Sequence, residues 1–251
     1  MFKGFYNLTS GMLTQQRNLN VVANNLTNVS TAGYKADQYT SSTFDEVMFN
    51  LVGNKNKEYQ EMGQVSYIRA TSEIYVDFSQ GTPEPTGLPL DFAIQGDGFF
   101  AVRGADGEVT YSRAGGFTLD EEGYLCLGGF GRVLGSDGEE IHLQTDKVYG
   151  DEQGYLHYEV NGGILGRVGV YTFEDNGQLE RNDMGMFTGE GAQVDENATL
   201  LWGYVERSNV SLVDQMTEML SAQRALQSAA QVAKMYDTLM SKAANDVGGL
   251  R

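Results

Sequence analysis

Apolar side chains recur at alternating intervals of three and four residues at both ends of the chain, and at intervals of two in between. Phe2, Phe5, Thr9, Met12, Gln16, Leu19, Ala23 and Leu26 keep the helical spacing, six of the eight being apolar, and predict a helix from Phe2 to about Ser30. Gly33 stands where a left-handed residue would stop it, and Tyr34-Lys35 begins an extended segment. After Ser208-Asn209, which suit a helix cap, Leu212, Gln215, Met219, Ala222, Leu226, Ala229, Ala233, Tyr236, Met240, Ala243 and Val247 keep the same alternation and predict a second, longer helix. Alanine and methionine dominate that seam, so each position contributes less than the ~1.5–3 kcal/mol of a large buried side chain. A lone helix of this kind is marginal, and pairing with the first helix supplies the missing area.

Between the helices, VSYIRATSEIYVDFS (65–79), FFAVRG (99–104), EVTYS (108–112) and GRVGVYTFE (166–174) alternate or are β-branched and aromatic. Asp106-Gly107, Asp137-Gly138, Asn161-Gly162 and Asn176-Gly177 read as hairpin turns, and Pro83, Pro85 and Pro89 mark where the β-region starts. The expected fold class is α+β: long N- and C-terminal helices pairing as a coiled coil, with a central antiparallel all-β domain. Expected boundaries are 1–35 for the first helix, 36–79 for an extended linker region, 80–204 for the β-domain and 205–251 for the last helix.

Charge is distributed unevenly. Residues 1–36 carry three bases and no acid, residues 205–251 carry five of each, and the stretch between holds 29 acids against 9 bases, which accounts for the net −17. Such a middle repels nucleic acid and anionic membranes. No run of about 18 apolar residues is present, so a spanning helix is not expected. Asn7, Thr9, Ser10 and Gly11 interrupt the start of the chain where a signal peptide would be apolar, so export by another route is the expectation. Cys126, the single cysteine, cannot form an internal disulfide.

Candidate chemistry is sparse. Gly96-Asp97-Gly98-Phe99-Phe100-Ala101 matches a dinucleotide-binding pattern on paper, but a strand-like segment follows it and Asp97 would face phosphate, so it reads as a β-turn. Asp120, Glu121 and Glu122 could serve acid catalysis or calcium only if the fold made adjacent carboxylates converge, and they read as a solvated turn before Gly123. His142 and His157 lack a third ligand pattern, and no nucleophile elbow occurs. No enzyme activity, cofactor, metal or small-molecule substrate is expected.

VVANNLTNVSTAGYK (21–35) holds no charge until its last residue, although a helix facing water usually shows Glu and Lys. If Ala23 and Leu26 face the seam, Asn24, Asn25 and Asn28 lie on the outer faces. Three asparagines forfeit about 2 kcal/mol of helix propensity against alanine. Neutral amides can be buried against polar surface without the desolvation penalty of a charge. The helix is therefore expected to pack on both sides, its amides, including Gln15, Gln16, Asn18 and Asn20, toward neighbouring subunits; an uncharged wet face is the alternative.

Ala23 through Lys35 resembles the amino-terminal signature of the flagellar rod and hook family, the axial proteins of the bacterial flagellum. Gln80-Gly81, Thr86-Gly87, Leu90–Ile94 and Gly98-Phe99-Phe100 resemble its central block. Tyr111-Ser112-Arg113-Ala114-Gly115 and Phe117–Asp120 with Gly123 resemble the next, and Glu206-Arg207-Ser208-Asn209-Val210 opens the last helix as in that family. Leu226, Gln227, Ala229 and Gln231 depart from its usual residues, which leaves proximal and distal rod open; the modest length argues against the hook protein.

The resemblance implies a structural rod subunit of the basal body in the cell envelope. It implies terminal helices that are disordered alone and form a coiled-coil inner tube on helical polymerisation, and export by the flagellar type III apparatus. Implied partners are copies of itself, other rod and hook proteins and the export apparatus. Expected interface residues are Gln16, Leu19, Ala23, Asn24, Asn25, Leu26, Asn28, Gly33 and Tyr34 at one end. At the other they are Ser208, Asn209, Val210, Met219, Gln223, Arg224, Leu226, Ala229, Ala233, Tyr236 and Met240. The rival readings are a soluble β-domain adaptor with a helical stalk, and a glycan-acting enzyme using Asp120 to Glu122.

Overall fold

A computed structural model describes residues 2–43, 47–52, 59–65, 69–159, 162–182 and 184–248. Two compact units emerge, the first made of Met1–Thr27, Asp37–Tyr75 and Ser211–Arg251, the second of Asn28–Ala36 and Val76–Val210.

In the first unit, α1 spans Phe2–Thr27 and α2 spans Leu212–Gly248. The threonines of α1 fit a helix because their hydroxyls donate to carbonyls one turn back: Thr9 to Phe5, Thr14 to Ser10 and Thr27 to Ala23, at 2.9, 3.0 and 2.8 Å. That satisfaction lets Thr14 be buried, and it displaces the inner stripe from the one expected. Among the described side chains of α1, Thr14, Val21, Val22 and Asn25 are buried, while Phe5, Thr9 and Gln16 are exposed. Met12, Leu19, Ala23 and Leu26 are half-buried at its flank.

In α2, Ala222 is buried and Gln215, Met219, Leu226, Ala229, Ala233 and Tyr236 are half-buried, a stripe spaced by three and four. Ser211 caps the helix, its carbonyl accepting from Gln215 N at 3.0 Å, so the cap is three residues beyond the expected Ser208. The two helices run antiparallel, since Asn18 bonds Glu218 and Asn25 bonds Gln215, at 3.2 and 3.3 Å. Strands Val47–Val52 and Tyr59–Val65 pair antiparallel, and Asp37–Thr43 pairs with Arg69–Val76. Residues 66–68 of the expected 65–79 run lie outside the described residues.

The second unit is β apart from one 3-10 turn, every registered pairing being antiparallel. Its centre is the strand Phe99–Arg103, which pairs with Val109–Ser112, Gly131–Val133 and Val170–Thr172. Sheet neighbours on both edges and side chains buried on both faces explain its unbroken apolar sequence. Phe100 and Val102 enter one core with Phe92, Leu125, Leu143 and Leu200. Phe99 and Ala101 enter another with Tyr111, Tyr171 and Phe187.

Smaller pairings join this unit, among them the three-stranded sheet of Val148–Gly150, Tyr155–Tyr158 and Ile164–Arg167. Phe92–Gln95 pairs with Thr199–Trp202, and Pro83–Pro85 with Tyr204–Glu206, the prolines occupying an edge strand that needs few donors. Gly107 and Gly138 form left-handed turns as expected. Asn176-Gly177 is not a hairpin: Asn176–Gln178 is one 3-10 turn, because Asp175 caps it through Gly177 N at 2.8 Å. Asn161 lies outside the described residues.

Replacing Phe100, fully buried, with alanine is expected to destabilise the β-unit by about 3–5 kcal/mol, and Phe130→Ala, 38 % exposed, by under half of that. Urea unfolding followed by fluorescence of Trp202, the single tryptophan, measures both.

Candidate functional site

Three charged side chains from distant parts of the chain meet in the interior of the β-unit. Lys35, Arg113 and Glu206 are 1, 3 and 1 % exposed. Lys35 Nζ donates to Glu206 Oε1 at 2.6 Å and to the Ser79 carbonyl at 2.7 Å. Arg113 donates from Nη1 to Glu206 Oε2 at 3.1 Å and from Nη2 to the Gly96 carbonyl at 2.6 Å, with Phe99 under its guanidinium. Gly81 N completes the carboxylate shell, donating to Oε1 at 2.8 Å.

Local structure brings these groups together. Lys35 follows Gly33, whose φ of +71° turns the chain and whose missing side chain admits the Arg113-Ala114 peptide; a Cβ there would sit 2.1 Å from Ala114 N. Gly33 N donates to the Glu206 carbonyl at 2.8 Å. Arg113 follows directly on the strand Val109–Ser112 that pairs with Phe99–Arg103, and Glu206 ends the one that pairs with Pro83–Pro85. Asn209 acts as one more strand: its Oδ1 accepts from Ala36 N and its Nδ2 donates to the Asp77 carbonyl, both at 2.8 Å. Tyr34, Ala36 and Val210 bury one another beside it, with Val29 against them. Arg181 donates to the Lys35 carbonyl at 2.6 Å and stacks over Tyr34.

Two cations share one carboxylate here. Burial pushes the Lys35 ammonium below its ordinary pKa of 10.5, Glu206 opposes that and Arg113 adds to it. Burial likewise lowers Arg113. The arrangement offers no nucleophile or proton relay; its chemistry is that of a fastener.

The expected interface residues are buried in some places and exposed in others. Asn25 does not face outward: it is 2 % exposed, its Nδ2 donating to the Asp37 carbonyl at 2.8 Å and its Oδ1 accepting from Asp37 N at 2.9 Å. An amide matches a backbone's donor and acceptor together, which is why asparagine is tolerated within the helix. Gly33, Tyr34 and Val210 are buried within the β-unit, and Ser208 turns its hydroxyl to Val210 N. Gln16, Asn24, Arg224 and Met240 are exposed; Leu19, Ala23, Leu26, Asn28, Met219, Gln223, Leu226, Ala229, Ala233 and Tyr236 are half-buried.

The carboxylates considered for catalysis are bound up locally. Asp120 accepts from Tyr124 N and Glu122 N, and Arg132 pairs with Asp120, Glu122 and Glu140. Those bonds, Tyr124 N first, hold the Asp120 carboxyl below its usual range. His142 faces the Glu122 carbonyl at 3.0 Å and His157 stacks on Tyr149. Gly96 and Gly98 take φ of +101° and +118° in a turn between two strands.

Helices flank an all-β stretch in the sequence, and an ion triad unites residues from its start, middle and end. Family models match in three blocks: "Flagella basal body rod protein" over residues 5–35, "Flagellar hook protein FlgE/F/G D1 domain" over 93–147 and "Flagellar basal body rod FlgEFG protein C-terminal" over 202–246. Each block contains one member of the triad. The flagellar hook-basal body complex protein FlhO of Bacillus subtilis is 30% identical over 99% of both chains. The basal-body rod protein FlgG of the same organism is 28% identical over 98% of this chain and 99% of that one, and FlgF of Mesorhizobium japonicum is 28% identical over 99% of both. The chain belongs to the flagellar rod and hook family of axial proteins, a structural and not an enzymatic family.

Glu206→Gln leaves two buried cations without an anion, and is expected to destabilise the β-unit by about 3–5 kcal/mol; Lys35→Met leaves a neutral pair and should be milder. Because the Lys35 pKa is lowered on folding, the unfolded chain holds more protons between that lowered value and 10.5, so the Lys35 contribution to stability grows as pH rises through this window. Urea midpoints of wild type and Lys35→Met should therefore diverge in favour of wild type toward pH 10.5.

Proposed function

We propose that the chain, a structural subunit of the flagellar basal-body rod, polymerises helically into the hollow shaft that transmits torque and conducts exported subunits. In this reading α1 and α2 pair as a coiled coil in the inner tube, gain order on assembly, and contact copies of this chain and other axial proteins of rod and hook. The subunit reaches its place through the flagellar export apparatus. Among the described residues no helix is long and apolar enough to cross a membrane.

The observation that carries this reading is that α2 is apolar on more than one side. Its stripe from Gln215 to Tyr236 includes the residue bonded to α1. Away from that stripe, Val213, Met216, Leu220, Met235 and Leu239 are 72, 51, 56, 63 and 65 % exposed. At about 100° per residue they cover the opposite half of the helix. An isolated subunit has nothing to gain from such a surface, whereas a tube of neighbouring helices buries it. The charge distribution agrees: near-neutral ends can stack without repulsion, and the acidic middle suits an outer position.

Leu220→Asp combined with Met235→Asp is expected to leave the β-unit folded and the subunit secreted, yet to remove it from purified basal bodies and abolish motility. Incorporation at wild-type level would refute the assignment of this face.

A further inference from the structure

We propose that order in the unassembled chain ends at the buried ion triad, so that residues 28–36 and 206–210 stay folded even where α1 and α2 do not. The inference rests on the reading that both helices gain order on assembly. The tempting division places everything up to residue 35, and from 208 onward, with the helices. The bonds divide the chain elsewhere.

The backbone and charged groups of Gly33, Lys35, Ala36, Glu206 and Arg207 find partners in the β-unit itself. Lys35 is held by Ser79 and Glu206, Gly33 by the Glu206 carbonyl, and Ala36 by Asn209. Arg207 N donates to the Thr82 carbonyl at 3.0 Å, and Gly81 N to the Glu206 carboxylate. Tyr34, Ala36 and Val210 add an apolar cluster of their own. Opening either segment would expose buried charges whose partners stay inside, a large penalty that makes the segments open with the β-unit or not at all. Nothing comparable protects α2, with its exposed apolar rows and small seam residues.

This boundary has a consequence for assembly. Residues 33 and 206 are about 170 positions apart in sequence, and the β-unit already closes that loop through the Gly33 to Glu206 bond. Both helices then start from one fixed place, so their pairing is a local event at high effective concentration and does not wait on a long search. The second half of the amino-terminal signature, from Asn28 to Lys35, thereby serves as an anchor within the subunit.

Hydrogen exchange on the dilute full-length chain tests this. The amides of Gly33, Ala36, Gly81 and Arg207 should exchange at least about 100-fold more slowly than those of residues 12–26 and 215–240. Glu206→Gln should reduce protection of Gly33 and Ala36 about tenfold or more relative to Phe100. Should that variant not fold, Asn209→Ala, which removes the acceptor for Ala36 N together with the Nδ2 bonds to Asp77 and Ser79, should speed exchange at Ala36 and leave Gly33 protected. Gly33 and Ala36 exchanging as fast as α1 would overturn the boundary alone. Helices as protected as the anchor would overturn the boundary together with the order-on-assembly reading beneath it.

Discussion

Glu206 is one carboxylate in a dry place, and it must answer two cations. Its oxygens accept from Lys35, Arg113 and Gly81 N, groups that come from three separate stretches of chain. Removing three charges from water is expensive, and well-packed apolar residues of the same volume could match the resulting stability. The ions add direction. A carboxylate with three donors fixes how Gly33 approaches Ala114, how Arg113 reaches the Gly96 carbonyl and where the strand ending at Glu206 lies against Pro83–Pro85. An apolar contact of equal energy would tolerate sliding; this one does not.

Rod subunits must carry load through connections between their parts. In this chain the stretches that lead out of α1 and into α2 are fastened in the β-unit by hydrogen bonds of Asn209 and by the triad, with Tyr34, Ala36 and Val210 sealing them from water. The bonding of the β-unit thus suits the structural role proposed for the subunit, and the acid excess of the chain lies in the stretch between the two helices.

Much of this organisation could be read from sequence, for reasons that differ by element. The stripe of α2 was legible from Gln215 to Tyr236 because its positions are mostly apolar or small at strict spacing, whereas Leu212, Met240 and Ala243 of the expected seam are exposed. That of α1 was displaced because Thr14 and Asn25 are polar yet internally satisfied, and hydropathy ranks them as outside. The FFAVRG strand announced itself by burial on both faces, and Gly33 by its place after the helix. The triad was illegible: Lys35 and Glu206 entered only the charge count, since a pair 171 positions apart leaves no local spacing to detect. Only the fact that each member stands within a stretch resembling the same family pointed that way.

The most direct measurement of the central claim is a double-mutant cycle between Lys35 and Glu206, using Lys35→Met, Glu206→Gln and the double variant in urea unfolding of the full-length chain. The account predicts a coupling above about 1.5 kcal/mol, the signature of a buried pair whose partners depend on each other. Additivity within about 0.5 kcal/mol would contradict it, and would mean that the two ends are held in the β-unit by packing alone.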